Sequence, residues 1–194
     1  MTYALGVFVM AAGASSRFGS PKQLASINGT PMLLHSVNRI QHTAITQKSC
    51  VLGANAEQVS AILPSDVKVY RSVNWQDGLS ASLRVASTNL PDNCTHVLIA
   101  LGDQIAISTT EYHQLIEHSI QNPNHIVCAR YAGRNGVPAI FPVSYMPQLK
   151  SLSGDKGAGQ LLNMSVEVET LDFDSAAHDI DTPDDLLRVL SILK

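Results

Sequence analysis

Apolar positions along this chain follow two different periods. Residues 5–10 (Leu5-Gly6-Val7-Phe8-Val9-Met10) and 96–101 are continuous apolar runs of strand length, which suits strands buried on both faces. Residues 48–52, 67–70, 126–129, 138–141 and 166–171 are further strand-like runs. Between these runs the apolar residues recur three and four apart. In residues 31–41, Met32, Leu33, Val37 and Ile40 share a helical face, with Pro31 at a first-turn position. Residues 56–62 (stopped by Pro64), 79–88, 109–121, 144–151, 158–163 and 183–193 also read as helices, the last capped by Thr182.

Strands and helices therefore alternate from end to end. This alternation predicts an α/β fold of three layers, α/β/α, around a mostly parallel sheet. The chain has 194 residues and no internal repeat, linker or low-complexity segment, so residues 1–194 are expected to form a single domain. Open α/β sheets bind ligands beyond the carboxyl ends of their strands. The segments just after the expected strands are 12–22, Gly53, 72–78, 102–104 and 130–136. They are expected to face one crevice.

Composition narrows the function. Hydrophobic residues make up 45% and charged residues 15%, in keeping with a large buried sheet. The net charge of −3 and pI near 6.1 argue against a nucleic-acid partner. No apolar run reaches membrane-spanning length, and the first apolar segment lacks the basic flank of a signal peptide. Cys50, Cys94 and Cys128 are far apart and form no C-x-x-C, so neither a disulfide framework nor a cysteine zinc site is indicated. A cytoplasmic protein with buried, reduced thiols is the expectation.

The first strand runs into Ala11-Ala12-Gly13-Ala14-Ser15-Ser16-Arg17-Phe18-Gly19, followed by Ser20-Pro21-Lys22. Small residues let backbone N–H groups approach an anion, and Arg17 and Lys22 bring the charge a polyphosphate needs. The loop is not a Walker motif, because Ser20 follows Gly19 where Lys is required. It is not the dinucleotide fingerprint either, which disfavours a nicotinamide-dependent oxidoreductase. The absence of G-x-S-x-G argues against a serine hydrolase, and the scattered histidines lack metal-ligand spacing. Asp103 ends the apolar strand 96–101 through Gly102, where a carboxylate can hold a hard cation alongside substrate phosphates. Asp179 and Asp181 are two apart and share a face if that segment is extended. Gly78 before a helix start, with Ser80 and Ser82, suits close approach to a base or ribose.

The first loop resembles the signature of the glycosyltransferase-A-like, Rossmann-like nucleotidyltransferases, [LV]-x-A-[AG]-G-x-S-x-R-[FM]-G-x-x-K, at every fixed position from Val9 to Lys22. Further segments resemble the MobA-like NTP transferases, most closely the molybdenum cofactor cytidylyltransferases. These are Asn74-Trp75 to Leu83, Leu101-Gly102-Asp103-Gln104, Gly136-Val137-Pro138, Gly154-Asp155-Lys156-Gly157-Ala158-Gly159 and His178-Asp179-Ile180-Asp181-Thr182-Pro183. Two positions depart from the family: Ile105 replaces a Pro, and Gly159 replaces an Arg that would grip an anion. Lys156 is a candidate to compensate.

The resemblance implies transfer of a nucleotidyl group from an NTP to a phosphorylated small-molecule acceptor, with release of pyrophosphate. It implies that Asp103 and Asp181 hold Mg²⁺ or Mn²⁺, that Arg17 and Lys22 stabilise the pyrophosphate, and that all four are catalytic. Nucleotide-binding residues would be Ala11, Ala12, Gly13, Ser15, Arg17, Lys22, Gly53, Gly78, Ser82, Gly102 and Asp103. Ala11-Ala12-Gly13 resembles the CTP-using branch, so CTP is favoured, with molybdopterin as acceptor and transient contact with a molybdoenzyme as a further partner. Alternatives are a guanylyl- or sugar-phosphate nucleotidyltransferase and a non-catalytic nucleotide-binding module.

Overall fold

A computed structural model describes residues 2–154, 157–165 and 167–193. Lys156, and Val166 at the start of the expected strand 166–171, lie outside the described residues. The strands are β1 (Leu5–Ala11), β2 (Ser26–Ile27), β3 (Thr30–Pro31), β4 (Ile45–Leu52), β5 (Val67–Arg71), β6 (His96–Leu101), β7 (Ile126–Tyr131), β8 (Arg134–Pro142) and β9 (Val168–Asp172). The helices are α1 (Met32–Arg39), α2 (Ala56–Ser60), α3 (Leu79–Thr88), α4 (Thr109–Gln121), α5 (Met146–Ser151), α6 (Gly159–Met164) and α7 (Pro183–Ile192).

Seven strands form one sheet in the order β5-β4-β1-β6-β8-β7-β9. Only β8 runs against the others; it pairs antiparallel with both β6 and β7. Alternate residues of the central strands feed two apolar layers. Val7, Val9, Leu98 and Ala100 pack with Leu33 and Val37 of α1 and Tyr112, Leu115 and Ile116 of α4. Phe8, Met10, Val97 and Ile99 pack on the other face with Leu83 of α3, Met146 and Leu149 of α5 and Leu162 of α6. The expected three-layer α/β/α architecture and mostly parallel mixed sheet are thus present. A smaller cluster joins Ile27, Met32, Ile105, Ile180 and Val189. It seats α7 beside the first loop.

Three local features differ from the sequence reading. Pro31 stands one residue before α1 instead of in its first turn. Asn28 and Gly29, with φ of 51° and 84°, turn the small β2–β3 hairpin, which the periodicity does not reveal. Residues 130–136 are not a loop between two short strands. β7 continues to Tyr131, the chain turns at Ala132 and Gly133 (φ 49° and 73°), and β8 begins at once. The polar Arg134 and Asn135 are strand residues, one exposed and one half-buried, at the sheet's ligand-facing edge.

Candidate active site

The carboxyl ends of β1 and β6 open onto a cavity of about 560 Å³, walled by the first loop and by the start of α3. Ala11, Ala12, Gly13, Arg17 and Lys22 line it from the first loop. Gly102 and Asp103 contribute from β6, Gly78 and Ser82 from the α3 side, and Asp181 from the turn before α7. Two residues expected to bind nucleotide stand behind this wall instead. Ser15 has φ 58° and donates its hydroxyl to Gln23 Oε1 at 3.3 Å, which bends the loop. Gly53 lies under Trp75, and a Cβ there would come within 2.6 Å of Trp75 Cβ.

Gln23, which the sequence reading passes over, holds the loop in shape. It is buried, and its Nε2 donates to the carbonyls of Ala11 and Gly13, each at 3.1 Å. These bonds leave the loop's N–H groups, and not its carbonyls, available to an anion. Trp75 and Gln76 line the cavity from the turn before Gly78. Gly78 has φ 91°, a conformation that favours glycine, and its turn presents the N-terminus of the ten-residue α3.

Lys22 lies at the centre. Its Nζ donates to Asp103 Oδ2 at 2.6 Å, to the Ile180 carbonyl at 2.6 Å and to Asp181 Oδ1 at 3.0 Å. The Lys22 and Asp103 side chains are 13% and 19% exposed, so this pair is only weakly screened. Burial pulls the ammonium pKa down, but Asp103 and Asp181 outweigh it and hold the group above its ordinary value. Arg17 Nη2 donates to Asp181 Oδ2 at 2.8 Å, but Arg17 is 70% exposed, and that contact contributes little to stability.

Asp181 is placed by the helix that follows it. Thr182 caps α7, and Asp185 Oδ2 accepts from the Thr182 N–H and hydroxyl and from the Asp181 N–H at 3.2 Å. Asp179 lies nearby in a second cavity of about 360 Å³, with Tyr131, Asn135, Gly136 and Gly159. Burial, followed by the charges of Asp103 and Asp181, raises the Asp179 pKa. Gly159 leaves no side chain on this wall. Asn135 and Asn163 brace it by donating to the backbone of residues 162, 135 and 159.

The donor set suits a hard divalent cation. Asp103 Oδ1 is buried and has no hydrogen-bond partner, so one carboxylate oxygen at the strand end is unsatisfied. No cluster of three or more His, Cys, Asp or Glu suited to a metal occurs among the described residues. A cation held by Asp103 and Asp181 would therefore complete its shell with substrate phosphate oxygens and water, as Mg²⁺ and Mn²⁺ commonly do. Among the described residues no helix is long and apolar enough to cross a membrane.

A sheet with its ligand cavity at the strand carboxyl ends, a small-residue loop and paired acids and cations define a phosphate-handling α/β protein. Comparison with known proteins makes the class specific. The MobA-like NTP transferase domain matches residues 7–170, and the chain belongs to that family. Bifunctional protein GlmU of Staphylococcus saprophyticus is 29% identical over 119 residues, 60% of this chain and 26% of that protein. The chain thus spans about a quarter of the length of the curated relatives it matches. Rv0371c of Mycobacterium tuberculosis superimposes with a TM-score of 0.85 at 29% identity, over 98% of this chain and 100% of that one. A manganese complex of the same protein gives a TM-score of 0.78 over the same shares. A nucleotidyl transferase from Methanothermobacter, 23% identical over 98% of each chain with a TM-score of 0.80, shares the fold.

Proposed function

We propose that this chain is a nucleotidyltransferase that passes CMP from CTP to molybdopterin and releases pyrophosphate. An acceptor phosphate oxygen attacks the α-phosphorus as the bond from that phosphorus to the β-phosphate oxygen breaks, and the electron pair leaves with pyrophosphate. Such a displacement needs positioning and charge neutralisation more than a covalent nucleophile. The observation that carries this reading is the meeting of Arg17 and Lys22, from the first loop, with Asp103 after β6 and Asp181 before α7 around one cavity.

Each group has a role in this reading. The N–H groups near Ala12 and Gly13 and the N-terminus of α3 hold the nucleotide, with Ser82 and Trp75 as walls. Arg17 and Lys22 neutralise the departing pyrophosphate. Asp103 and Asp181 hold a divalent ion, Mg²⁺ or Mn²⁺, which supplies charge to the phosphates when bound. The manganese complex of Rv0371c supports a divalent ion here. The second cavity, around Asn135 and Gly159, receives the acceptor. A cytoplasmic setting and transient contact with a molybdoenzyme complete the reading.

A sugar phosphate is the second candidate acceptor. Gly159 stands where the molybdenum-cofactor branch carries an Arg, although Arg134 lines the same cavity, and the likeness to GlmU points to the wider group of transferases. Pyrophosphate release tests both readings. The protein is supplied with Mg²⁺ or Mn²⁺, with CTP, GTP or ATP, and with molybdopterin or a sugar 1-phosphate. Release is expected with CTP and molybdopterin, and Asp103→Ala is expected to lower it by about 10²-fold or more. Release with a sugar phosphate alone would move the assignment to the second acceptor. Near-normal release by Asp103→Ala would overturn the mechanism.

A further inference from the structure

An ammonium group has three protons to donate. All three on Lys22 are engaged, by Asp103 Oδ2, Asp181 Oδ1 and the Ile180 carbonyl. In this arrangement Lys22 has no N–H left for a phosphate. The same Asp103 and Asp181 are the carboxylates that suit a divalent cation. Arg17 differs: one contact to Asp181 leaves most of its five N–H donors free.

We infer that Lys22 is an internal counter-ion for the acidic pair, competing with the divalent ion for Asp103 and Asp181, and that it is released to the phosphates only when the metal is taken up. This rests on the proposed nucleotidyl transfer for the phosphate half, but the competition itself concerns the protein and a cation alone.

Three features support an exchange over a fixed ion pair. Lys22 opens a three-residue turn after Pro21, and its long stem reaches the acids from the rim of the loop instead of from a regular helix or strand. The Asp181 contact is the longer of the two carboxylate contacts, and Asp181 is the more exposed acid, at 37%. Asp103 keeps Oδ1 unpartnered while Oδ2 serves Lys22, so it already holds a second acceptor for an incoming cation. With both acids ionised and no cation between them, like charges would face each other across the site, which disfavours the charged forms. Lys22 prevents this while the site is empty of ligands. The exchange couples the two binding events. Metal binding frees an ammonium for phosphate, and phosphate binding to that ammonium frees the carboxylates for metal. The coupling is mutual by linkage.

Manganese binding without nucleotide tests the competition. Free aqueous Mn²⁺ is followed by electron paramagnetic resonance during titration of the wild-type protein and of Lys22→Met. The variant is expected to bind Mn²⁺ about tenfold more tightly, the equivalent of one charge-assisted hydrogen bond no longer displaced. Equal or weaker binding by a folded Lys22→Met overturns the inference, and so does absence of Mn²⁺ binding by both proteins. A second measurement needs no variant. Acetylation of wild-type Lys22 by acetic anhydride, read by peptide mass spectrometry, is expected to rise as Mn²⁺ is added without nucleotide. Labelling that stays flat while Mn²⁺ binds would overturn it as well. Absence of pyrophosphate release would count against the proposed reaction and leave these two readouts intact.

Discussion

Gly53 and Trp75 are in contact that leaves no room for a side chain between them. A Cβ at position 53 would fall 2.6 Å from Trp75 Cβ and 2.5 Å from the Ala12 carbonyl oxygen. The end of β4 thereby fixes both the first loop and the Trp75 wall of the cavity. Gly53→Ala is expected to cost about 1–3 kcal/mol of stability through overpacking, and to weaken nucleotide binding by displacing both walls. Trp75 is the only tryptophan, so its fluorescence reports the nucleotide titration directly, and urea melts report the stability. Unchanged stability together with unchanged nucleotide affinity would mean that the loop and Trp75 yield without consequence.

The cap of α7 reaches the chemistry through Asp185. The same Asp185 oxygen that completes the capping box also accepts from the Asp181 N–H. Thr182→Ala is expected to cost about 1 kcal/mol, as loss of an N-cap does, and to reduce kcat by loosening Asp181. Thermal melts and pyrophosphate release on the same preparation separate the two effects. A stability loss with no change in kcat would show that Asp181 does not depend on the cap.

His96 sits at the opposite end of β6 from the site. It is buried, stacks on Tyr3 at 4.1 Å, and its Nε2 donates to the Pro123 carbonyl at 2.8 Å. Burial pulls its pKa below the ordinary 6.5, against the opposing pull of that carbonyl. A lowered folded value means stability that is present above 6.5 and is lost as pH falls through the depressed pKa. Denaturant melts between neutral and mildly acidic pH are expected to show this decline, and His96→Gln is expected to remove that part of it. An unchanged acid slope in the variant would assign the decline to other groups.

Tyr112 carries a hydroxyl in the core of α4 with no hydrogen-bond partner, although the ring is fully buried. Burial also drives its pKa upward. Removing an unpaired polar group relieves a desolvation cost, so Tyr112→Phe is expected to leave stability unchanged or raise it by about 1 kcal/mol. A clear loss in a thermal melt would show that the hydroxyl is satisfied in solution.

The elements legible in the sequence are those whose periodicity is strong. Helices α3 and α4 run from Leu79 to Thr88 and from Thr109 to Gln121, as the apolar spacing indicates. The β2–β3 hairpin escapes because two-residue strands cannot alternate, although Asn28-Gly29 is a turn signal in its own right. Arg134 and Asn135 read as loop because polarity is mistaken for irregularity; the turn lies two residues earlier, at Ala132 and Gly133. In the site, Arg17, Lys22, Asp103 and Asp181 stand out because chemistry demands those residue types. Gln23 does not, because its work is to bind backbone carbonyls that any sequence supplies. The Ile180 carbonyl that completes the Lys22 cradle leaves no trace in side-chain identity.

The site draws on chain segments that are far apart: Lys22 meets Asp103 across 81 positions and Ile180 across 158. Synthesis runs from the amino terminus, and folding of a nascent chain follows that order. The small-residue loop therefore emerges first, the Asp103 strand follows, and the segment that carries Ile180 and Asp181 comes last. Until that segment docks, Arg17 has no acidic partner and Lys22 has Asp103 alone. A partly made chain is thus a half-built pocket with surplus positive charge, and the docking of α7 brings the acid that closes it.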